Sequence, residues 1–143
     1  MSFTGNYICT SFKRECLIKG HDFTTGTGDV FKMALYDSNA SLNASTTAYT
    51  TSNEISGTGY SAGGFTLTNV TPVESGTAAI SDFEDVSAQN CTFTCRGALI
   101  YNVTAGGNAV AVYDFGANRS PVNQRFLATM PAFGAQTAII RLI

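Results

Sequence analysis

One histidine, four cysteines and a small acidic group are the residues of this chain that could do chemistry. His21 stands beside Asp22 and shortly after Cys16, so a thiol and an imidazole could in principle form a nucleophile and its base. Nothing in that spacing fixes the two in contact or supplies an oxyanion hole, and the pattern yields no catalytic residue. His21 reads instead as a partly exposed histidine at the end of a helix, near a carboxylate. Asp82, Glu84 and Asp85 could offer oxygens to Ca²⁺, yet the segment lacks the alternating oxygens and central glycine of an EF-hand loop. They read as residues that solvate a turn. The glycine-rich runs at 25–29 and 57–60 are not followed by the Gly-Lys-Ser/Thr of a phosphate loop and read as turns. No cofactor or metal is implied.

Cys9, Cys16, Cys91 and Cys95 do not have the paired Cys-x-x-Cys spacing of a zinc knuckle. In one regular strand Cys91 and Cys95 lie roughly 13 Å apart, at about 3.3 Å per residue, whereas a disulfide needs Cα atoms within about 7 Å. They cannot bridge each other there. Buried or free thiols, a bridge from Cys9 or Cys16 to Cys91 or Cys95, and a bridge to a neighbouring subunit all stay open.

The elements that carry these residues read as mainly β. From Cys91 to Leu99 the apolar residues alternate with Thr92, Thr94, Arg96 and Ala98, the period of a strand with one wet face. Further strands are expected at 30–36, 65–70, 77–83, 109–115, 124–129 and 137–143, with the strand at 91–101 running as one piece. Gly106 and Gly107 mark a hairpin turn between the 91–101 and 109–115 strands, which should pair. A short helix is expected at 10–20, capped by Thr10 or Ser11, with Phe12, Cys16 and Lys19 on one face and Gly20 at its end. Residues 37–64 read as a long surface loop with a helical turn near 43–49. The whole is expected to be a single-domain antiparallel β-sandwich or jelly-roll-like fold, with an N-terminal arm and helix at 1–21 and a β domain at 29–143.

Composition narrows the function. Charged residues make up 13% of the chain and hydrophobic ones 44%, so Ser, Thr, Asn and Gly must fill surface positions that Lys and Glu usually occupy. Such a surface favours packing against other subunits. A net charge of −2 argues against binding nucleic acid, which needs clustered cations. The local basic group Lys13, Arg14 and Lys19 reads as a solvated helix face. No run is long and apolar enough for a membrane helix, and the first residues lack the charged and apolar regions of a secretory signal. The expectation is a protein kept in a cytoplasm, where Asn-x-Ser/Thr sequons at Asn39, Asn43, Asn69, Asn90, Asn102 and Asn118 need no glycan.

Several blocks carry a further signal: DVFKMALY at 29–36, TAY at 47–49, GTGYSAGG at 57–64, FEDVSAQN at 83–90, RGALIYN at 96–102, AVAVYDFG at 109–116 and AIIR at 138–141. In this order and spacing they resemble a family of small structural proteins of tailed bacteriophages. Ala88 stands where that pattern has tryptophan, and Cys91 and Cys95 where it has small residues. The resemblance implies a virion component, not an enzyme: a capsid decoration or cement protein on the exterior of the icosahedral head. It would bind the major capsid protein as a homo-oligomer, a trimer or dimer, after assembly in the host cytoplasm. Phe3, Tyr7 and Phe12 in the N-terminal arm and helix, with the apolar segment 138–143, are the interface candidates; for the three aromatics ordinary core residues are the competing reading. The alternative role is a tail, neck or fibre component that binds host glycan through Tyr36, Tyr49, Tyr60, Tyr101 and Tyr113.

Overall fold

A computed structural model describes residues 3–134 and 136–143. The protein is mainly β, with antiparallel sheets and one short helix near the N-terminus, an arrangement consistent with a β-sandwich. In chain order the elements are β1 (Tyr7–Ile8), α1 (Thr10–Leu17), β2 (Phe31–Tyr36), β3 (Phe65–Thr66), β4 (Asn69–Ser75), β5 (Ala78–Phe83), β6 (Val86–Cys91), β7 (Cys95–Asn102), β8 (Asn108–Arg119), β9 (Gln124–Ala128) and β10 (Ile140–Leu142). They form a five-stranded sheet ordered β1-β8-β7-β2-β3, a three-stranded sheet β10-β5-β4 and the pair β6-β9.

The centre of the large sheet is buried on both faces. In β2, Phe31, Met33 and Leu35 alternate with Ala34 and Tyr36, and all five are buried. On the first face Phe31 stacks on Phe23 at 4.6 Å between ring centroids and meets Phe83 at 5.4 Å. On the second face the loop 37–64 folds back over the sheet: Tyr49 stacks on Tyr101 at 4.6 Å, and Tyr36 donates to the carbonyl of Thr50. This explains why the expected alternation holds from Cys91 to Arg96 but gives way to continuous burial from Gly97 to Asn102. The loop supplies the missing cover.

The hairpin expectation holds, with β7 and β8 paired from Gly97↔Asp114 to Asn102↔Asn108. The expectation of one strand over 91–101 does not. Thr92 pairs with Thr58 of the loop, and the amide of Phe93 donates to Pro121, so the chain leaves the β6-β9 pair and enters the large sheet as a new strand. Asn90, at φ +54°, takes the extra residue of a bulge just before this switch. The expected 65–70 strand divides in the same way, between β3 in the large sheet and β4 in the small one. Pro72 fits within β4 because β4 is an outer strand, where a missing amide proton costs no ladder bond.

Other differences have local causes. The helix is capped by Cys9, not by Thr10 or Ser11; the Cys9 side chain makes no capping bond, and the Ser11 hydroxyl is buried without a partner. The left-handed residue after the helix is Lys19, at φ +63°, and Gly20 returns its amide to the Glu15 carbonyl at 2.7 Å. Near 43–46 the loop makes a turn in which Asn43 accepts the amide of Ser45, and no helix forms. Strand β1 was not expected, β6 was not expected as a strand of its own, and the final strand is shorter than 137–143.

Gly97 lets two layers touch. A Cβ there would lie 2.7 Å from the Phe3 ring and against the Tyr113 carbonyl, so the position admits no larger residue without a shift.

Candidate functional site

Three elements near the chain termini, β1, α1 and β10, build one apolar groove. Its volume is about 560 Å³. Tyr7 and Ile8 of β1 line one side, Ile140 and Leu142 of β10 another, and Phe12, Cys16 and Leu17 of α1 form the floor and rim. The helix turns Phe12 and Glu15 inward, and that choice leaves Leu17 and Ile18 pointing outward, Leu17 at 87% exposure. Leu142 is 62% exposed on the opposite rim. Large apolar side chains thus flank an apolar depression, the pattern of a docking surface more than of a solvated face. Lys13 and Arg141 add positive charge at its border.

The expected interface residues separate here. Tyr7 is half-buried and lines the groove. Phe12 also lines it but is a core residue, 2% exposed, and Phe3 is buried against Gly97 elsewhere. For those two the core reading is the correct one, since a docking anchor needs free surface before the partner arrives. Ile140 and Leu142 place the expected C-terminal segment at the site. Leu17 and Ile18 were missed, although their signal was present: they fall off the Phe12–Cys16 stripe on a helix.

The cysteines are free thiols. Cys9, Cys91 and Cys95 are fully buried, which puts them out of reach of a neighbouring subunit; Cys91 and Cys95 end β6 and begin β7. Burial, with Glu15 adding to it, pushes the Cys9 thiol up to about 11, and burial pushes Cys95 up to about 12 against the opposing charge of Arg119. Such thiols stay protonated and unreactive at neutral pH. Cys16 is half-buried in the groove, and its thiol is raised by burial and by Glu15.

His21 is not a partly exposed end residue. Its side chain is 0% exposed, packed 4.8 Å from the Phe12 ring centroid and beside Phe23 and Phe31. The Asn102 amide donates to Nδ1 at 2.9 Å and to Asp29 Oδ2 at 2.7 Å, while Asn102 Oδ1 accepts the Ala105 amide. The imidazole proton therefore sits on Nε2 and is given to Glu15 Oε1 at 2.8 Å. The carboxylate partner is Glu15, not the adjacent Asp22, whose carboxylate accepts the Thr24 amide. A Glu-His pair sealed by three phenyl rings ties α1 to the large sheet and admits no substrate.

The acidic group is similarly occupied. Asp82 is 2% exposed, its Oδ1 accepts the Phe83 amide, and its Oδ2 has no partner; burial raises its carboxyl above the usual range. Asp85 accepts the amide of Met130 at 2.6 Å, and Glu84 is exposed. Among the described residues no three His, Cys, Asp or Glu side chains converge on a metal position.

Of the tyrosines proposed for sugar stacking, Tyr36, Tyr49, Tyr60 and Tyr101 are used inside the fold, and Tyr113 is half-buried in β8. Tyr36 and Tyr101 are buried. Glu54 accepts the hydroxyls of Tyr49 and Tyr60, each at 2.6 Å, and the amide of Gly63 at 2.7 Å. Burial and the Glu54 bond together raise the Tyr49 and Tyr60 phenols far above their usual range. Tyr101 donates to the Gly63 carbonyl. This network fastens the loop 37–64 to the sheet; Tyr49 stacks on Tyr101, and Tyr60 meets Phe65 edge to face.

Among the described residues no helix is long and apolar enough to cross a membrane. No protein-family model matches the chain, and no curated protein and no solved structure matches it.

Proposed function

We propose that the protein is a structural subunit of a tailed-bacteriophage virion, a decoration or cement protein that docks on the outside of the head and stabilises it. The observation that carries this reading is the groove of α1, β1 and β10, an apolar surface with Leu17 and Leu142 standing exposed on its rims. A chain with 13% charged residues that presents such a surface is suited to a permanent seat against other subunits. The resemblance of the sequence blocks to small phage structural proteins supports the same role. Residues able to act as acid, base or nucleophile are held in internal contacts: His21 with Glu15, Asp85 with Met130, and Cys9 and Cys95 in the core. The partner is the major capsid protein, and shell symmetry favours a dimer or trimer at each seat.

Quantitative peptide mass spectrometry of purified source particles tests the role by counting copies against the major capsid protein. Hundreds of copies in a simple ratio are expected. A handful would move the protein to the neck, tail or fibres, and its absence from the particles would overturn the virion role.

A further inference from the structure

Two sheet edges end at the same groove. β1 is the outer strand of the five-stranded sheet and β10 the outer strand of the three-stranded one, and both line the cavity beside α1. We propose that the groove takes an extended apolar peptide segment of a partner protein, which pairs with a sheet edge there and gives a carboxylate to Lys13 and Arg141. This deepens the docking role proposed above and rests on it.

The backbone argues for an extended occupant. The Cys9 amide donates to the Val110 carbonyl at 3.0 Å, and the register runs Ile8↔Ala111 and Tyr7↔Val112. In an antiparallel pair every second residue directs its N–H and C=O away from the partner strand, so Ile8 turns both toward the outer edge. β10, in register with β5 from Ile140↔Ser81 to Leu142↔Ala79, carries outward groups in the same alternation. An extended peptide can satisfy such groups and also place alternate side chains against the apolar walls; a helix has its own backbone groups already engaged.

Charge argues for the carboxylate and against a second copy of this chain. Among the described residues the cation–carboxylate contact is Arg96–Asp114, beside the His21–Glu15 hydrogen bond, which leaves Lys13 and Arg141 without an acid. Arg141 gives one guanidinium nitrogen to the Gln136 carbonyl at 3.0 Å and keeps its other donors. Two copies placed face to face would bring the Lys13 and Arg141 charges of both copies to one interface, a like-charge contact that disfavours the pairing.

The test uses three fluorescein-labelled peptides and the full chain. Each has an alternating Val-Thr core; one is flanked by Glu, one by Lys, and one by Glu with a central Pro. Fluorescence anisotropy is expected to show the Glu peptide binding about tenfold or more tightly than the Lys peptide, the scale of one charge-assisted contact, with the Pro peptide losing most of that affinity. Lys13→Glu with Arg141→Glu should invert the preference toward the Lys peptide, a gain of binding that a misfolded variant could not produce. Leu17→Asp, at a solvated position, should weaken the Glu peptide without altering the circular dichroism spectrum. Equal binding of the Glu and Lys peptides, full binding of the Pro peptide or no binding overturns the proposal. So does a concentration-dependent dimer in sedimentation that Leu17→Asp dissolves. Peptide failure with the protein still abundant on particles removes only the strand-and-carboxylate chemistry; absence from particles removes the docking role itself.

Discussion

At the scale of single residues, two aspartates pull stability in opposite directions with pH. Asp114 accepts from Arg96 Nε at 2.9 Å and from the Gly116 amide, and these bonds, Arg96 first, hold its carboxyl below the ordinary value. A lowered acid contributes stability above its unfolded pKa, and that contribution is lost as pH falls through the folded one. Asp82 has the reverse sign: burial raises it, so the folded state binds its proton more readily and stability declines as pH rises from the unfolded value through the folded value. Asp82→Asn should therefore raise the urea midpoint at neutral pH, with the gain gone by about pH 3, where both states carry the proton. Asp114→Asn should lower the midpoint at neutral pH and lose its effect in a more acidic window, as pH falls from the unfolded value through the lowered folded one. Urea titrations of both variants at several pH values check the crossing.

The thiols give a second prediction at this scale. Cys9, Cys91 and Cys95 are sealed in the core while Cys16 lies half-buried in the groove, so in the native protein Ellman's reagent should label Cys16 first and the other three only on unfolding. Peptide mapping of the labelled site decides it. Rapid labelling of a second cysteine would show that the core opens more easily than its packing suggests.

At the scale of elements, the loop 37–64 is held less by regular secondary structure than by one carboxylate. Glu54 takes three donors from Tyr49, Tyr60 and Gly63, and Tyr60 also receives the amide of Leu35 in β2. Glu54→Gln keeps the shape but replaces charged acceptors with one neutral carbonyl and an amide that can only donate. The expected cost is about 1–2 kcal/mol, moderated because Glu54 is partly exposed. Hydrogen exchange should quicken in residues 49–64 while β7 and β8 stay protected. A uniform rise across the chain would mean that the loop and sheet unfold as one unit.

How far such elements can be read from sequence depends on whether their cause is local. The β7–β8 hairpin was legible because alternation, apolar runs and two glycines lie within one short segment. The separation of β6 from β7 was not, since it is set by Thr58 and Pro121, both distant in the chain. β1 is two residues long and exists because β8 offers it an edge. The groove was half legible: the terminal arm and the apolar 138–143 segment were marked, yet Phe12 turned out to be core. The carboxylate that completes the His21 pair comes from within α1, where helical geometry turns Glu15 inward, not from the neighbouring Asp22.

At the scale of the whole molecule, docking and folding draw on different apolar residues. Phe12, Phe31, Leu99 and Val112 are buried and hold the domain together, whereas Leu17 and Leu142 remain 87% and 62% exposed. Apolar burial stabilises in proportion to the area removed from water, so the two rim leucines contribute little to the isolated domain and much to any surface that covers them. The double substitution Leu17→Ser and Leu142→Ser should change unfolding free energy by less than about 0.5 kcal/mol, the range of ordinary surface changes. The same variant should bind less of the dye anilinonaphthalene sulfonate and should no longer reattach to particles stripped of the protein. Loss of attachment at an unchanged melting temperature would separate the docking role from stability. A large fall in melting temperature would instead place these leucines in the support of the fold, with the groove closing more tightly in solution than its exposed rims suggest.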